Sequence, residues 1–184
     1  MFEKFGEFDS YEEINSAAEA QKAEGDTEAI LALAKENGLR PDDAQAYIDG
    51  EEDELTTLTL AAWGKLDLET EKIGYKEVLK DWIEELKAAA MDNEDLAYQI
   101  RRKGTTVEQV VADWASWGVE HAAIVPKSTV QLCSNKIRNL VGNHDFSIGI
   151  PTRKKRLEIA KTYYSKFPGK PHEDQVETET GGEA

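Results

Sequence analysis

The sequence predicts an all-α protein, a compact domain of short helices with at most one small extended segment near residue 147. Apolar residues recur at three- and four-residue intervals along most of the chain, as they do on the buried face of a helix. Capping residues stand where these stripes begin, and glycines stand where they end. Only 119–125 and 146–150 are candidates for strands, and both segments are short.

Three short helices are predicted in the first 50 residues. Each begins at a residue that suits a helix start and ends at a glycine, and Glu13 completes a capping box with Ser10. The predicted limits are Ser10 to Gly25, Asp26 to Gly38 and Pro41 to Gly50. Their apolar stripes are thin and rich in alanine, so we expect these helices to pack against something larger.

Three further helices are predicted up to residue 104. An acidic run is expected at the start of the fourth helix, where negative charge suits the helix dipole. This run is Glu51, Glu52, Asp53 and Glu54. The fifth helix has the strongest amphipathic pattern of the first half, around Trp82 and Leu86. The sixth helix follows a cap at Asp92–Asn93 and ends in a basic run before Gly104.

The next two helices are predicted from Thr105 and from Pro126. Thr105 and Glu108 form a second capping box. The helix from Pro126 to Gly142 carries an apolar stripe, and we interpret Cys133 within it as a small core residue rather than a nucleophile. The stripe consists of Val130, Cys133, Ile137, Leu140 and Val141.

The final predicted helix combines an apolar side with a basic front. It begins at Pro151 or Thr152 and runs to Phe167. Its apolar side is Leu157, Ile159, Ala160, Tyr163, Tyr164 and Phe167. Lysines flank this side along both edges, so we expect the apolar side to pack inward and the lysines to face solvent.

Charge is segregated along the chain, whose formal net charge is −15. Residues 1–100 hold 27 Asp/Glu and 9 Lys/Arg, a net charge of −18, whereas residues 101–170 hold 5 and 13, a net charge of +8. We divide the chain into an acidic helical region (1–66), a second helical region with basic C-terminal helices (67–167), continuous with the first, and a disordered acidic tail (168–184). A solvated acidic surface that aids solubility is the alternative interpretation of the charge.

Composition excludes several classes of protein. There is no apolar run near the roughly 20 residues of a membrane span, and the N-terminus lacks the basic start and apolar run of a signal peptide. The single Cys133 cannot form an internal disulfide, which fits a reducing cytoplasm. One cysteine and three scattered histidines do not suit a structural zinc site, and no cofactor is predicted.

Catalytic signatures are weak. The sequence has no glycine-rich phosphate loop, zinc-protease helix motif or nucleophile elbow. The trio Asn143, His144 and Asp145 could serve acid–base or metal chemistry, but this composition beside Gly142 is more typical of a turn. We interpret His121 as a residue that compensates a helix end, and we predict no enzymatic activity and no catalytic residue.

A nucleic-acid interface is the better-supported binding hypothesis from the residues alone. The candidate phosphate contacts lie on three predicted helices and are Arg153, Lys154, Lys155, Arg156, Lys161, Lys136, Arg138, Arg101, Arg102 and Lys103. About five phosphate contacts would give weak, sequence-tolerant binding to double-stranded DNA with a log–log salt slope of about −4 to −5. The alternative is that these side chains pair with the acidic half of the same chain.

The N-terminal stretch carries a family resemblance. The segments Met1–Ser10, Glu24–Ile30, Ala34–Leu39 and Tyr47–Gly50 resemble small proteins from mobile elements of gut Firmicutes, including an anti-CRISPR inhibitor of the type II effector nuclease. The likeness is strong over roughly the first 70 residues. Beyond them, it consists mainly of a Gly-Ile-Pro turn before a basic helix with paired tyrosines, here Gly149–Pro151 and Tyr163–Tyr164. No catalytic motif is implied.

The resemblance implies a binding partner, namely the type II CRISPR effector nuclease with its guide RNA. Such an effector holds guide RNA and target DNA in a positively charged channel, which an acidic helical protein suits electrostatically. The candidate effector-binding residues are Glu51, Glu52, Asp53 and Glu54. We therefore expect a cytoplasmic anti-CRISPR inhibitor with an auxiliary DNA contact, and a DNA-binding accessory protein of a mobile element is the alternative. The surplus of Trp and Tyr is compatible with a homodimer.

Overall fold

The computed structural model describes residues 4–170, which form ten helices and a ribbon of two short strands. The prediction of an all-α fold is confirmed. In chain order the elements are α1 (Tyr11–Glu24), α2 (Thr27–Glu36), α3 (Pro41–Asp49), α4 (Leu58–Ile73), α5 (Val78–Met91), α6 (Glu94–Arg101), α7 (Val107–Glu120), β1 (Ala123–Val125), α8 (Lys127–Gln131), α9 (Asn135–Val141), β2 (Phe146–Ile148) and α10 (Arg153–Tyr164).

Capping geometry confirms most of the predicted helix ends. The side chains of Ser10, Asp26 and Asn93 each accept a backbone N–H from the first turn of the helix that follows. Gly25 and Gly50 end α1 and α3 in the left-handed conformation, which glycine adopts without strain. Local capping signals are therefore sufficient to locate these helices.

Two apolar clusters form the interior, and α4 contributes to both. The first cluster gathers α1, α2, α3 and the start of α4 around Ile14 and Leu33. The second joins α4, α5, α6, α7 and α10 around Trp114. Ala61 belongs to the first cluster and Leu66 to the second, so the predicted division after residue 66 falls inside α4. This helix connects the acidic N-terminal region to the basic C-terminal region.

Two glycines bring α2 against the shared helix α4. Gly38 has a φ of +70°, and a Cβ on it would lie 2.2 Å from Gly64 O. A Cβ on Gly64 would lie 2.2 Å from Asn37 O. Because no side chain fits at such distances, only glycine at both positions allows the two backbones to approach this closely.

A buried polar network lies where the two clusters meet. Lys65 on α4 is almost fully buried, and its ammonium group donates three hydrogen bonds. The acceptors are Glu7 Oε1 (2.9 Å), Arg102 O (2.6 Å) and Thr105 Oγ1 (3.0 Å). One turn later, Glu69 Oε2 accepts the backbone N–H of Val107 at 2.7 Å. The network thus connects the N-terminal segment, α4 and the α6–α7 junction.

The predicted start of the fourth helix is wrong. Residues 51–54 lie in the loop between α3 and α4, and α4 begins at Leu58. Thr57 is its N-cap, with Oγ1 accepting the backbone N–H of Leu60 at 3.3 Å. An acidic run suits a helix N-terminus and a solvated loop equally well, and the threonine cap decides between them.

The predicted cap of α7 is displaced by one residue. Thr106 caps this helix and accepts the N–H of Glu108 at 3.1 Å, whereas Thr105 is buried. The Thr105 hydroxyl group instead accepts a hydrogen bond from Lys65 and lies 2.8 Å from Ile100 O, to which it donates. Thr105, which the sequence pattern assigned to the cap, is therefore part of the buried polar network instead.

The predicted helix from Pro126 to Gly142 is wrong as a single element. It is divided into α8 and α9, which lie between the two strands of an antiparallel ribbon with Ala123 opposite Ile148. We call residues 122–150 the arm. The predicted apolar stripe is not buried as a unit, because Leu140 is 77% exposed and Cys133 is only half-buried. Cys133 is therefore not a core residue.

A close backbone contact joins the arm to α7. A Cβ on Gly118 in α7 would lie 2.5 Å from Gly149 O, and a Cβ on Gly149 would lie 1.6 Å from Gly118 O. Pro151, directly after the arm, is buried against the same region. The two glycines therefore fix the position where the arm leaves the helical body.

The described chain continues a few residues beyond α10. Gln99 Nε2 donates to Phe167 O at 3.3 Å, and Lys170 Nζ lies 2.9 Å from Glu94 Oε2, so residues 167–170 run along α6. The predicted tail was placed from residue 168 onward, and its residues 171–184, including His172, lie outside the described part of the chain.

Candidate functional site

The basic helix is α10, and its N-terminus is capped as predicted. Thr152 Oγ1 accepts the backbone N–H of Lys155 at 3.3 Å. On the inner face, Ala160, Tyr163 and Tyr164 are buried in the second apolar cluster. The predicted apolar side of α10 is thus confirmed. Because this side packs inward, the residues on the opposite side of the helix face solvent.

Arg156 is buried, although it was predicted to contact phosphate. Its guanidinium group lies against Glu85 Oε2 at 2.5 Å and donates to Pro151 O at 2.6 Å. It also stacks over Trp82, with 4.4 Å between the guanidinium carbon and the ring centroid. Arg156 therefore fastens α10 to α5 and is not available to a polyanion.

Arg101 is also inside the protein. It is 1% exposed, and Nη2 donates to Asn37 Oδ1 at 2.9 Å. Burial lowers the pKa of its guanidinium group, an effect that nearby carboxylates such as Glu7 and Asp9 oppose. Its side chain belongs to the junction between the two clusters, and it cannot reach phosphate without disrupting that junction.

Two more of the predicted cations are paired with carboxylates of the same chain. Arg102 Nη2 lies 2.8 Å from Asp9 Oδ2, and Lys155 Nζ lies 2.7 Å from Glu158 Oε1. Both pairs are partly exposed to solvent, so each contributes little to stability. Self-pairing thus reduces the charge that these two residues offer to a partner.

Six of the ten predicted phosphate contacts are exposed. They are Lys103, Lys136, Arg138, Arg153, Lys154 and Lys161. On α10, Lys154 and Lys161 are seven residues apart and share one face, with about 10.5 Å between them along the helix axis. On α9, the Arg138 guanidinium group hydrogen-bonds Asn135 Oδ1 and Gln131 O. The exposed basic surface is therefore centred on α10.

The acidic loop borders a cleft on the N-terminal region. All four residues of 51–54 are exposed, and Glu52, Asp53 and Glu54 line a cleft of about 540 Å³. Across it lie Glu12 and Glu19 of α1. Five carboxylates therefore surround one concave surface, which repels anions and suits a basic group.

An aromatic and cationic wall completes this cleft. Tyr11 and Tyr47 contribute to its lining together with Lys22. Lys22 Nζ donates to Tyr47 O at 2.6 Å and lies 4.2 Å from the centroid of the Tyr47 ring. Because the lysine is already engaged in these contacts, it offsets the surrounding carboxylates only in part.

The candidate catalytic trio lies in an exposed turn. The backbone N–H of His144 donates to Val141 O at 3.0 Å, and the side chains of Asn143, His144 and Asp145 are exposed. His121 stacks on Trp117 with 4.2 Å between ring centroids, and its Nδ1 lies 3.0 Å from Trp117 O at the end of α7. Within residues 4–170, no group of three or more His, Cys, Asp or Glu side chains is arranged to hold a metal ion.

Sequence reasoning missed one surface feature, the exposed aliphatic side chains of the arm. The 3-4 spacing of Leu140 and its neighbours is typical of a buried helix face and predicts that these side chains are buried, whereas Leu140 is exposed. The sequence did contain one signal of this arrangement, the two strand candidates on either side of the segment. Their pairing makes residues 126–145 the connection between two strands and not part of the helical core.

No protein-family model, no curated protein and no solved structure matches the chain. In the described residues, no helix is both long and apolar enough to cross a bilayer. The surface charges, the exposed arm and the N-terminal resemblance are therefore the observations that bear on function.

Proposed function

We propose that this protein is a non-enzymatic anti-CRISPR inhibitor that binds the guide-loaded type II effector nuclease and blocks target DNA engagement or cleavage. The observation that carries the proposal is the resemblance of residues 1–10, 13–15, 24–30, 34–39 and 47–50 to inhibitors of that class. These segments include the capped starts of α1 and α2 and the C-terminal end of α3. Inhibition would be stoichiometric, without turnover, in the cytoplasm of a bacterial host cell.

The acidic loop supports this proposal on physical grounds. The effector holds nucleic acid in a positively charged channel, and occupation of that channel by carboxylates would compete with DNA phosphates. Glu52, Asp53 and Glu54 are exposed together at the rim of one cleft. A cluster held by two helices and a short loop loses less conformational entropy on binding than a flexible acidic segment would.

An auxiliary DNA contact is the second part of the proposal. Arg153, Lys154 and Lys161 project from α10, which packs in the second apolar cluster, whereas the acidic loop adjoins Leu55 of the first. At a screening length of about 8 Å, a local basic surface can hold phosphate despite the overall charge of −15. One molecule could then contact the effector and its target DNA together.

Co-purification with the guide-loaded effector, with and without target DNA, tests the proposal. We expect the wild-type protein to be retained by the effector in the absence of DNA. Replacement of Glu51, Glu52, Asp53 and Glu54 by their amides should abolish retention. The matched control replaces four exposed carboxylates on other elements, Glu71, Asp81, Glu108 and Glu120, and removes the same charge. No retention of the wild-type protein, or equal loss in both variants, would contradict the proposal.

A DNA-binding accessory protein of a mobile element is the second candidate function. The exposed cations of α10 favour it, since they need no effector to meet phosphate. A gel-shift series across salt concentration separates the two functions. This candidate would be favoured if the protein retards duplex DNA but is not retained by the effector. It would be excluded if the protein does not retard duplex DNA even at low salt.

A further inference from the structure

The arm presents an unusual amount of aliphatic surface. Five of the ten large hydrophobic side chains that are exposed in residues 4–170 lie in this segment of 29 residues. Their exposed fractions range from 46% to 88%. They are Ile124, Leu132, Leu140, Ile148 and Ile150. Apolar surface concentrated in this way on a soluble protein marks an interaction site.

The ribbon of the arm is also incomplete as a sheet. Each strand has three residues, and within the described chain β1 and β2 pair only with each other. Isolated two-stranded ribbons are marginally stable in water, and an open edge offers unpaired N–H and C=O groups to another strand. Ile148 lies opposite Ala123, and paired residues share a face of the ribbon. Because successive residues of a strand point to opposite faces, Ile124 projects from the other face.

Charge indicates which partner this surface suits. The arm has three Lys/Arg and one Asp/Glu, a net charge of +2, so the remainder of the chain carries −17. Two copies of the protein therefore repel each other overall, and the arm, with its small net charge, contributes little to that repulsion. Duplex DNA is a poorer fit, because aliphatic side chains outnumber cations there and Arg138 is engaged within the arm.

We propose that the arm is a self-association surface through which two copies of this protein form a dimer, with their ribbons joined edge to edge. A twofold axis lets one strand edge pair with its own copy and brings the aliphatic side chains of both arms together. A fully exposed aliphatic side chain offers about 60–120 Å² of apolar surface, and these five are 46–88% exposed. Together they supply about a quarter to a half of the roughly 800 Å² per partner that a standard interface uses. This inference does not depend on the proposed inhibition.

Sedimentation of the full chain across a wide range of protein concentration tests the proposal at two ionic strengths. We expect a monomer–dimer equilibrium that tightens between about 0.01 M and about 1 M salt, because the screening length falls from about 30 Å to about 3 Å and the like charges cease to repel. A DNA-like or ion-paired interface would weaken with salt. A monomer at every concentration and both ionic strengths, or a dimer that dissociates as salt rises, would overturn the proposal.

Matched variants locate the interface. Leu132→Ser with Leu140→Ser should weaken dimerisation at least about tenfold, whereas Val78→Ser with Met91→Ser should leave it unchanged. All four side chains are exposed, so both variants should keep the wild-type helical signal. Hydrogen exchange gives an independent readout, since amides of 123–125 and 146–148 should become more protected as concentration rises. Dimerisation unaffected by the arm variant, or weakened equally by both, would contradict the proposed surface.

Discussion

Lys65 Nζ lies 2.9 Å from Glu7 Oε1, and this contact fastens the N-terminal segment to the helix that both apolar clusters share. The lysine side chain is 3% exposed and the glutamate side chain 22% exposed. The pair lies beside Thr105, whose hydroxyl group accepts a hydrogen bond from the ammonium group, and Glu69, whose carboxylate lies 3.9 Å from it. One buried cation thus connects the N-terminal segment to α4.

Replacement of Lys65 by methionine should destabilise the protein by about 3–5 kcal/mol, because the substitution leaves buried carboxylates without their cation. Urea unfolding measures the free energy directly. Lys72→Met on the same helix is the control, since Lys72 is exposed and should contribute less than about 0.5 kcal/mol. Equal unfolding midpoints for the two variants would contradict the account of the network.

The stability of the protein should depend on pH through Glu69. Burial raises the pKa of its carboxyl group, and the hydrogen bond from Val107 and the charge of Lys65 oppose this rise. The folded state therefore binds the proton more tightly than the unfolded state does. The contribution of Glu69 to stability is then full below the unfolded pKa, about 4.3, and is lost as pH rises through the higher folded pKa.

A difference measurement isolates this effect. The free energy of unfolding of the wild type minus that of Glu69→Gln should decrease as pH rises across that window, because the amide does not titrate. The same comparison with exposed Glu71→Gln serves as the control. A difference for Glu69 that stays constant or increases with pH would show that burial does not dominate its titration.

Replacement by lysine should destabilise the protein at one of two arginines that lie three residues apart and leave its stability nearly unchanged at the other. Arg156→Lys loses contacts with Glu85, Pro151 O and the Trp82 ring that one ammonium group cannot replace, so we expect a loss of about 1–3 kcal/mol. Arg153→Lys changes an exposed side chain and should be nearly neutral. Thermal or urea unfolding of both variants decides the matter, and a neutral Arg156→Lys would contradict its assigned role.

DNA binding, if it uses the face of α10 that contains Lys154 and Lys161, should be weak and salt-dependent. About five phosphate contacts give a log–log salt slope of about −4 to −5, and removal of two should reduce its magnitude by about 2. Lys154→Glu with Lys161→Glu is the test variant, and Lys35→Glu with Lys80→Glu makes the same charge change at exposed positions elsewhere. Equal salt slopes for the two variants would show that DNA binding depends on the overall charge of the protein and not on this face of α10.

Helices with strong local signals could be predicted from sequence, and long-range choices could not. The caps at Ser10, Asp26 and Asn93 are local, because each side chain accepts a hydrogen bond from a backbone N–H three residues away. Burial of Arg156 depends on Glu85, 71 residues earlier in the chain, so no local pattern separates it from exposed Arg153.

The arm shows a second limit of sequence reasoning. A continuous apolar stripe normally indicates a buried helix face, but here the chain turns at Leu132–Ser134, so that Val130 and Val141 are buried whereas Leu140 is exposed. Arg138 Nη1 then donates to Gln131 O, a carbonyl freed by the end of α8. The exposed arm therefore could not be inferred from periodicity, which reports amphipathicity and not what lies opposite the apolar face.

The most direct test of the central claim is a titration of this protein into guide-loaded type II effector, with target DNA cleavage as the readout. Stoichiometric inhibition predicts that cleavage falls in proportion to added protein and stops near equivalence, without time-dependent loss of the effector. Unchanged cleavage in the presence of excess protein would contradict the proposed function.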